Sequence, residues 1–486
     1  MANPIFTYFS NIIGVPYDQI LLVGSVLSAI PIGLINYLII SPKLRLYYGL
    51  ITGSFVSYSL YGSGNIHPFI GGLFTYLFMK YFGRKKSAFY VFIITFLHLA
   101  FLHIYRMLTM YGEWTADDTT SLYMMTICKF SSMAFSYEDG QIDDSKIKNK
   151  HWKKYKIKEM PTFLEVMTYT FYFPSAIMGP FFFFFDFKNF IYLQEEYSRL
   201  KPLNTIYFSL IELSFVSIST VFYGYFGPKY PLSYCGTKEY GEKSFLYKVL
   251  YNFFAMTVHR SKFYTGFLMS FSGLIVCGLA YKETPKDEPV NTFLKKIDND
   301  VIITYDKGNY GSIIDCEFGI NVKTKITSWN NSVSLWLKYN LFLRCINIEN
   351  KIFKNNYNLA SLITFMISAL WHGFYPTYYI FFFVFFIYQT ANEKFDKAGL
   401  YDWINSHPNP LVKIPFWLLA QYLVNHLGTI IFNLKYEYFI NFMISTKFLP
   451  FIIILILFVI SLNIKVKKKD KKISEKNENE KNKKKL

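Results

Sequence analysis

Long apolar runs recur along the chain and restrict its fold more than any other feature. A helix needs roughly 20 apolar residues to cross about 30 Å of hydrocarbon, and about ten runs approach that length. Hydrophobic residues fill 52% of the 486 positions and aromatic residues 21%, more than soluble globular chains carry. We therefore predict an all-α fold, a polytopic transmembrane helical bundle with about 10–11 spanning helices plus re-entrant or short helices. The runs are Ile20–Ile40, Leu46–Tyr61, Pro68–Phe82, Phe89–Ile104, Phe163–Phe185, Thr205–Phe226, Leu246–Tyr281, Leu359–Tyr388, Pro415–Asn433 and Phe439–Leu462.

Three of these runs have unusual lengths. Leu246–Tyr281 is long enough for two segments, whereas Leu46–Tyr61 and Pro68–Phe82 are short and interrupted by Gly and Pro. The two short runs are predicted to be re-entrant or broken.

The net charge of +18 includes a lysine-rich tail directly after the last apolar run. We predict a membrane-embedded domain over residues 1–464 and a basic, disordered tail over residues 465–486, on the cytosolic side by the positive-inside rule. The first residues lack the basic region and cleavage site of a removable signal peptide. The ending Lys483-Lys484-Lys485-Leu486 is similar to a dilysine signal for endoplasmic reticulum retrieval, and a lysine-rich tail also produces it by chance.

The cysteines and histidines are too scattered for a metal site. No C-x-x-C pair occurs, and His98 and His103 are five positions apart rather than four. A glycine-rich phosphate loop is also missing from the sequence. We predict no metal, no nucleotide or redox cofactor and no nucleic-acid partner; the oligomeric state stays open.

Two polar stretches interrupt the apolar pattern. Gln141–Met160 is strongly basic and is predicted to be a cytosolic loop or surface helix. Residues 282–328 have mixed charge and about the length of a small lid, and loops of that length are usually functional or disordered.

The stretch "SWNNSVSLWLKYNLFLRC" follows the second polar region. If it is helical, one face carries Trp329, either Ser332 or Val333, Trp336 and Asn340. Such a stripe is usually packing or an interfacial belt. The sequon Asn330-Asn331-Ser332 within it is interpreted as chance.

The stretch "SALWHGFYPTYY" places His372 between Trp371 and Gly373 at the start of an aromatic run. A lone membrane histidine can be a core residue bonded to a carbonyl. Ionisable groups in spans are costly, however, and tend to mark functional interiors.

Together these two stretches, about forty residues apart, resemble the paired signature of the membrane-bound O-acyltransferase family. The resemblance implies a catalytic Asn330 and His372 in a chamber among the spans. Leu102–Gly140, Met160–Ile191 and "RSKFYTGFLMSFSGLIVCGLAYK" are similar to further segments of the lysophospholipid acyltransferase branch. Asp118 and the region Gly266–Ser272 depart from that branch, which leaves acceptor specificity uncertain.

The residues suit acyl transfer. His372 can be the base for the acceptor hydroxyl, since burial favours a neutral imidazole. Asn330 can orient the hydroxyl, the imidazole or the oxyanion. The family resemblance implies direct transfer in a ternary complex, while Ser368, one helical turn before His372, leaves an acyl-enzyme open.

The predicted substrate-binding residues flank this pair. Trp371 and Gly373 are predicted to shape the pocket, and Tyr379 belongs to a predicted acyl-chain wall, with Trp329 and Trp336 completing the set. Lys338 and Arg344 either contact the phosphates of acyl-CoA or snorkel to the interface.

Three function classes remain open: an acyl-CoA-dependent lysophospholipid acyltransferase of the endoplasmic reticulum membrane, a related acyltransferase for another lipid alcohol or a protein, and a transporter.

Overall fold

The structure is a computed structural model that describes residues 4–13, 16–113, 115–288, 290, 295–298, 300–348, 352 and 354–464. Helices dominate this part of the chain, which confirms the predicted all-α membrane fold. The helices before residue 243 are α1 (Pro4–Ile13), α2 (Tyr17–Leu27), α3 (Ala29–Asn36), α4 (Pro42–Tyr61), α5 (Ile66–Thr109), α6 (Thr119–Asp139), α7 (Lys150–Tyr155), α8 (Phe163–Phe171), α9 (Phe184–Ile191), α10 (Pro202–Phe226) and α11 (Lys238–Glu242). The later helices are α12 (Phe245–Cys277), α13 (Ile313–Phe318), α14 (Val322–Trp329), α15 (Asn331–Leu337), α16 (Leu343–Asn347), α17 (Tyr357–His372), α18 (Pro376–Lys397), α19 (Leu400–Ser406), α20 (Lys413–Phe432), α21 (Tyr436–Ser445) and α22 (Leu449–Leu462).

Fewer helices than predicted have the length and composition of a membrane span. Four stretches of the described residues qualify, or five if the bent pair α21 and α22 forms one span. One of the four contains three predicted runs, and others are broken: Phe163–Phe185 yields only the short α8 before non-helical chain, and Gly373 divides Leu359–Tyr388. The four stretches are Tyr17–Asn36, Pro42–Thr109, Pro202–Phe226 and Pro410–Phe432.

The runs of unusual length also fold differently from the prediction. Leu246–Tyr281 forms the single helix α12 instead of two segments, and Leu46–Tyr61 lies inside the continuous helix α4.

Helix α5 is a hairpin of two antiparallel arms. The chain reverses at Gly83, whose φ of 57° and ψ of −147° suit a residue without a side chain. The rings of Phe82 and Tyr90 stack at 4.2 Å beside the turn, and His67 Nδ1 lies 3.0 Å from His98 Nε2 near the open end. The break predicted near Pro68–Phe82 is therefore this reversal.

A buried lysine stabilises the chain between α8 and α9. Lys129 of α6 is 1% exposed, and its ammonium donates to the carbonyls of Tyr169 and Thr170 and to Ser175 Oγ. Its charge also lies 5.2 Å from the centre of the Phe182 ring. These bonds compensate the cost of burying the cation and fix the aromatic segment that forms the centre of the core.

Within residues 282–328, the described part is folded. The strands β1 (Tyr281–Pro285), β2 (Lys295–Asp298) and β3 (Val301–Tyr305) form an antiparallel sheet in the order β1-β3-β2, with Tyr281 opposite Tyr305 and Asp298 opposite Val301. After the sheet, Lys307 forms ion pairs with Asp186, at 3.1 Å, and with Glu196. This segment then continues through α13 and α14 toward Asn330. The basic tail and its dilysine-like end lie outside the described residues.

Candidate active site

His372 is the last residue of α17. Gly373 follows with φ 125° and ψ −160°, which only glycine adopts readily, and Pro376 begins α18. The half-buried imidazole packs against the rings of Tyr378 and Phe382, with centroids at 5.4 and 5.3 Å. Neither ring nitrogen has a hydrogen-bond partner among the described residues, so the imidazole is chemically uncommitted.

Trp371 is fixed at its indole. Its Nε1 donates to the carbonyl of Met124 at 2.8 Å, and its ring lies 6.4 Å from that of Trp336. Trp336 is fully buried and donates from Nε1 to Ser131 Oγ at 2.9 Å. Both indoles are thus held by α6, and the Trp371 ring lies 4.8 Å from that of His372.

Asn330 lies between two helices. Helix α14 ends at Trp329, and Asn330 is the N-cap of α15, where its Oδ1 accepts from Val333 N at 3.3 Å and from Ser332 Oγ at 3.1 Å. In the described part of the chain, its Nδ2 has no hydrogen-bond partner. The side chain therefore combines a structural acceptor with an unused donor.

Asn330 and His372 are connected through packing and make no direct hydrogen bond in the described structure. Asn330 begins α15, and Trp336 in the last turn of this helix packs on Trp371, which precedes His372. The two predicted catalytic residues are thus linked through α15 and the pair of Trp336 and Trp371.

The predicted tryptophan stripe does not exist as one helical face. The break at Asn330 leaves Trp329 in α14, where it packs on Phe263, Tyr264 and Phe267 of α12 at centroid distances of 5.6, 5.7 and 5.9 Å. Trp336 belongs to α15 and faces α6 instead.

The two predicted cationic residues differ in their partners. Arg344 donates to both oxygens of Asp139, at 3.1 and 2.7 Å, and lies 4.9 Å from the Trp152 ring, so its charge is compensated inside the protein. Lys338 is exposed and lies beside Tyr339. Only Lys338 is free to meet an anion in solution.

The basic stretch Gln141–Met160 docks on the Asn330 segment. Its helix α7 stacks His151 on Tyr339 at 3.5 Å, and Trp152 Nε1 donates to the Tyr339 carbonyl at 3.0 Å. Burial, followed by the charges of Lys154, Lys338 and Arg344, lowers the pKa of His151 to about 3. The positive charge of this stretch indicated a surface element, but nothing in the sequence pointed to its docking site.

A buried ion pair holds the segment that leads to Asn330. Arg260 of α12 contacts both carboxylate oxygens of Glu317 at 2.7 Å, and Tyr264 donates to the same carboxylate at 2.7 Å. The Glu317 carbonyl accepts from Trp417 Nε1 at 2.8 Å and from Lys325 at 3.3 Å. We refer to Arg260 and Glu317 with these partners as the Glu317 hub. Arg260 belongs to a quoted family-like segment, but its partner could not be inferred.

Tyr379, the predicted wall residue, is half-buried on α18. Two other rings of α18, those of Tyr378 and Phe382, contact the His372 ring. In the described structure, the Tyr379 ring makes no such contact. The wall beside the imidazole is therefore formed by the other two rings.

The structure also contains a cavity of about 400 Å³ between the arms of α5. His67, His98 and Tyr123 line it, whereas His372 and Asn330 do not. It is thus separate from the predicted chamber. In the described residues, no group of three or more His, Cys, Asp or Glu is arranged to hold a metal ion.

Comparison with known proteins supports the sequence resemblance. The family model for MBOAT, the membrane-bound O-acyltransferase family, matches residues 109–398, which include Asn330 and His372. A lysophospholipid acyltransferase of Saccharomyces cerevisiae is 27% identical over 68% of this chain and 54% of that protein. One from Schizosaccharomyces pombe is 26% identical over 77% of this chain and 71% of that protein. Lysophospholipid acyltransferase 2 of Arabidopsis thaliana is 26% identical over 83% and 82% of the two chains. The chain therefore spans about half the length of the first relative and most of the other two.

Proposed function

The chain belongs to the membrane-bound O-acyltransferase family, and we propose that it transfers a fatty acyl group from acyl-CoA to the free hydroxyl of a lysophospholipid. The observation that carries this proposal is its similarity to proteins named lysophospholipid acyltransferase in three organisms. The uncommitted imidazole of His372 supplies the chemical group that such a reaction needs.

His372 is proposed as the general base. Its free ring nitrogen accepts the proton of the acceptor hydroxyl while the oxygen attacks the thioester carbonyl carbon. When the tetrahedral intermediate collapses, the carbon–sulfur bond breaks and the imidazolium returns the proton to the leaving thiolate. The products are a two-chain phospholipid and free coenzyme A, and neither a metal nor a redox cofactor takes part in these steps.

Asn330 is proposed as the polar partner of His372. Its Oδ1 already caps α15, so only the amide donor Nδ2 is available to substrate. A donor suits the oxyanion or the acceptor oxygen better than it suits a proton-accepting imidazole. This free donor supports a role for Asn330 at the oxyanion or the acceptor oxygen.

The two substrates are proposed to arrive by different routes. Acyl-CoA approaches from the cytosolic face, where exposed Lys338 and the lysines of α7 can attract its phosphates. The lysophospholipid comes laterally from the bilayer. Arg344 is not proposed to bind a phosphate of acyl-CoA, because its guanidinium already donates two hydrogen bonds to Asp139. We place the protein in the endoplasmic reticulum membrane with its basic tail in the cytosol.

The proposal is tested in microsomes that express the full chain. Labelled acyl-CoA is supplied with a panel of lysophospholipids, and wild type is compared with His372→Ala and with His407→Ala, which changes a partly exposed histidine after α19. We expect incorporation into at least one lysophospholipid, lost only in His372→Ala. Equal incorporation by wild type and His372→Ala would refute the catalytic assignment. No response to any lysophospholipid would favour another acceptor or transport.

The acyl-enzyme alternative has a separate test. Ser368 is buried one helical turn before His372 on α17. Direct transfer predicts that Ser368→Ala keeps most of the activity and that no labelled acyl-protein accumulates with acyl-CoA alone. An inactive but folded Ser368→Ala would contradict direct attack.

A further inference from the structure

His103 contacts the backbone of the turn that carries His372. This imidazole, in the second arm of α5, is 4% exposed, and its Nε2 lies 3.0 Å from the carbonyl oxygen of Trp371. A carbonyl oxygen only accepts hydrogen bonds, so the contact requires a proton on Nε2. The observation therefore fixes His103 as a donor toward the residue immediately before His372.

The Trp371 carbonyl needs such a donor because α17 ends there. The last carbonyls of a helix lack intrahelical partners. Gly373 N satisfies those of Ala369 and Leu370, at 3.1 and 3.2 Å, but not that of Trp371. His103 supplies the missing bond from a different helix and so ties the end of α17 to α5.

The other side of the His103 ring fills the space beside Gly373. A Cβ built on Gly373 would lie 3.1 Å from His103 Nδ1. The sequence predicted Gly373 to shape the pocket, and in the structure the side chain beside it is His103. The imidazole therefore contacts the residues on both sides of His372.

The surrounding contacts fix His103 and the far end of the turn. Arg106, one turn along α5, forms a buried ion pair with Asp118, Nε to Oδ2 at 2.9 Å. In the loop between them, Gly112 N donates to the Tyr375 hydroxyl at 2.9 Å. The end of α5 and its following loop thus hold residues 371 to 375 at two points.

We propose that His103 is a positioning residue for His372, a role that rests on the proposed function. Its Nε2–H holds the Trp371 carbonyl, and through it the end of α17, so that the His372 imidazole keeps its direction toward the substrates. His103 touches neither substrate nor reacting atoms. Displacing a catalytic group by about 1 Å can lower a rate about 100-fold, which makes this single bond measurable.

The test compares His103→Gln with His103→Met in the full-length protein. The Gln amide nitrogen can occupy the position of His Nε2 and donate to Trp371, whereas Met has similar length and no donor. His98→Met is the control, because His98 lies on the same arm but pairs with His67. We expect kcat per folded protein to fall about 10- to 100-fold in His103→Met, with both KM values near wild type, and Gln to restore most of the loss.

Folded protein is quantified by gel filtration and thermal unfolding in detergent, so that misfolding is not counted as lost catalysis. Equal kcat values for the Gln and Met variants would overturn the proposal, as would a wild-type kcat in His103→Met or an equal loss in His98→Met. His372→Ala runs in parallel. If it is as active as wild type, the catalytic assignment of His372 fails, and if wild type acylates no lysophospholipid, the proposed function fails; if His372→Ala is inactive while the His103 variants are equal, only the positioning role fails.

Discussion

The two halves of the candidate site are built in opposite ways. At the His372 end, the ring has no hydrogen bond in the described structure; His103 contacts the Trp371 carbonyl, and the Trp371 indole donates to the Met124 carbonyl. At the Asn330 end, the side chain itself is a helix cap, and a buried ion pair fixes the preceding segment. A proton acceptor has to stay free for substrate, whereas an amide can use one atom for structure and the other for chemistry. Substitution of His372 should therefore lower activity with little loss of stability, whereas substitutions at the Asn330 end should lower stability as well.

His372→Ala gives the largest expected effect on activity at the smallest structural cost. Loss of a general base lowers the rate about 10²- to 10⁴-fold, while no hydrogen bond of the ring is lost. Initial rates of acyl transfer, together with the unfolding midpoint in detergent, measure both quantities. A large drop in the unfolding midpoint of His372→Ala would show that this side chain also supports the fold, as Asn330 does, and would contradict the comparison.

Glu317→Gln should show the reverse, a loss of stability at the Asn330 end. Removing one partner of a buried ion pair costs about 3–5 kcal/mol, because the other charge stays buried and unpaired. Denaturant unfolding in detergent measures this cost. The matched double variant Arg260→Met with Glu317→Gln also removes the guanidinium that Glu317→Gln leaves unpaired, and it should recover part of this cost. If Glu317→Gln is as stable as wild type, the Glu317 hub does not fix this segment.

The same hub predicts a pH dependence. Burial alone would raise the pKa of Glu317, but the Arg260 guanidinium and the hydrogen bond from Tyr264 hold it below its usual value. A carboxyl whose pKa is lower in the folded state stabilises the protein above its unfolded pKa, about 4.3 for glutamate. This stability is lost as the pH falls through the folded value. The free energy of unfolding, measured from pH 7 downward, should therefore fall less steeply with pH in Glu317→Gln than in wild type.

Asn330 variants separate capping from catalysis. Asn330→Asp keeps an oxygen that caps α15 but lacks the amide donor, so the barrier should rise by about 2.7–4 kcal/mol with little loss of stability. Asn330→Ala should lose the cap as well, at a further cost of about 0.5–2 kcal/mol in unfolding free energy. Measured kcat and unfolding free energy distinguish the two roles. An active Asn330→Asp would make the residue a cap only.

Phe382 should affect acyl-chain selectivity more than Tyr379. The Phe382 ring packs on the His372 ring, whereas Tyr379 makes no such contact in the described structure. One methylene in an apolar pocket contributes about 1–3 kcal/mol of discrimination. Competition between acyl-CoA species of different chain length should therefore shift about tenfold in Phe382→Ala, and less in Tyr379→Ala. The opposite order would place the acyl chain on the other face of α18.

The sequence indicated candidate reactive groups, whose roles stay predictions, but it revealed little of the contacts that support them. Apolar runs indicated a helical membrane fold, and "SALWHG" placed His372 at the start of an aromatic run; its position at the end of α17 came from the structure. The helix break at Asn330 was missed, because Trp329 and Trp336 at a spacing of seven suggested one face. An Asn before an apolar run is nevertheless a strong N-cap, so the signal was present. The bond from His103 to Trp371 joins residues 268 positions apart, and no local pattern in a single sequence reveals such a pair.

Lys338 offers the smallest effect and tests whether the Asn330 end faces the cytosolic substrate. Its exposed ammonium can gain only about 0.2–1 kcal/mol from a phosphate in water, so Lys338→Gln should raise the KM for acyl-CoA up to about fivefold and leave kcat unchanged. The difference should shrink at high salt, because exposed charges are screened. Lys158→Gln, an exposed lysine of the same basic stretch outside α7, is the matched control. A larger effect at Lys158, or a change in kcat at Lys338, would move the coenzyme A route away from the surface formed by α7 and Tyr339.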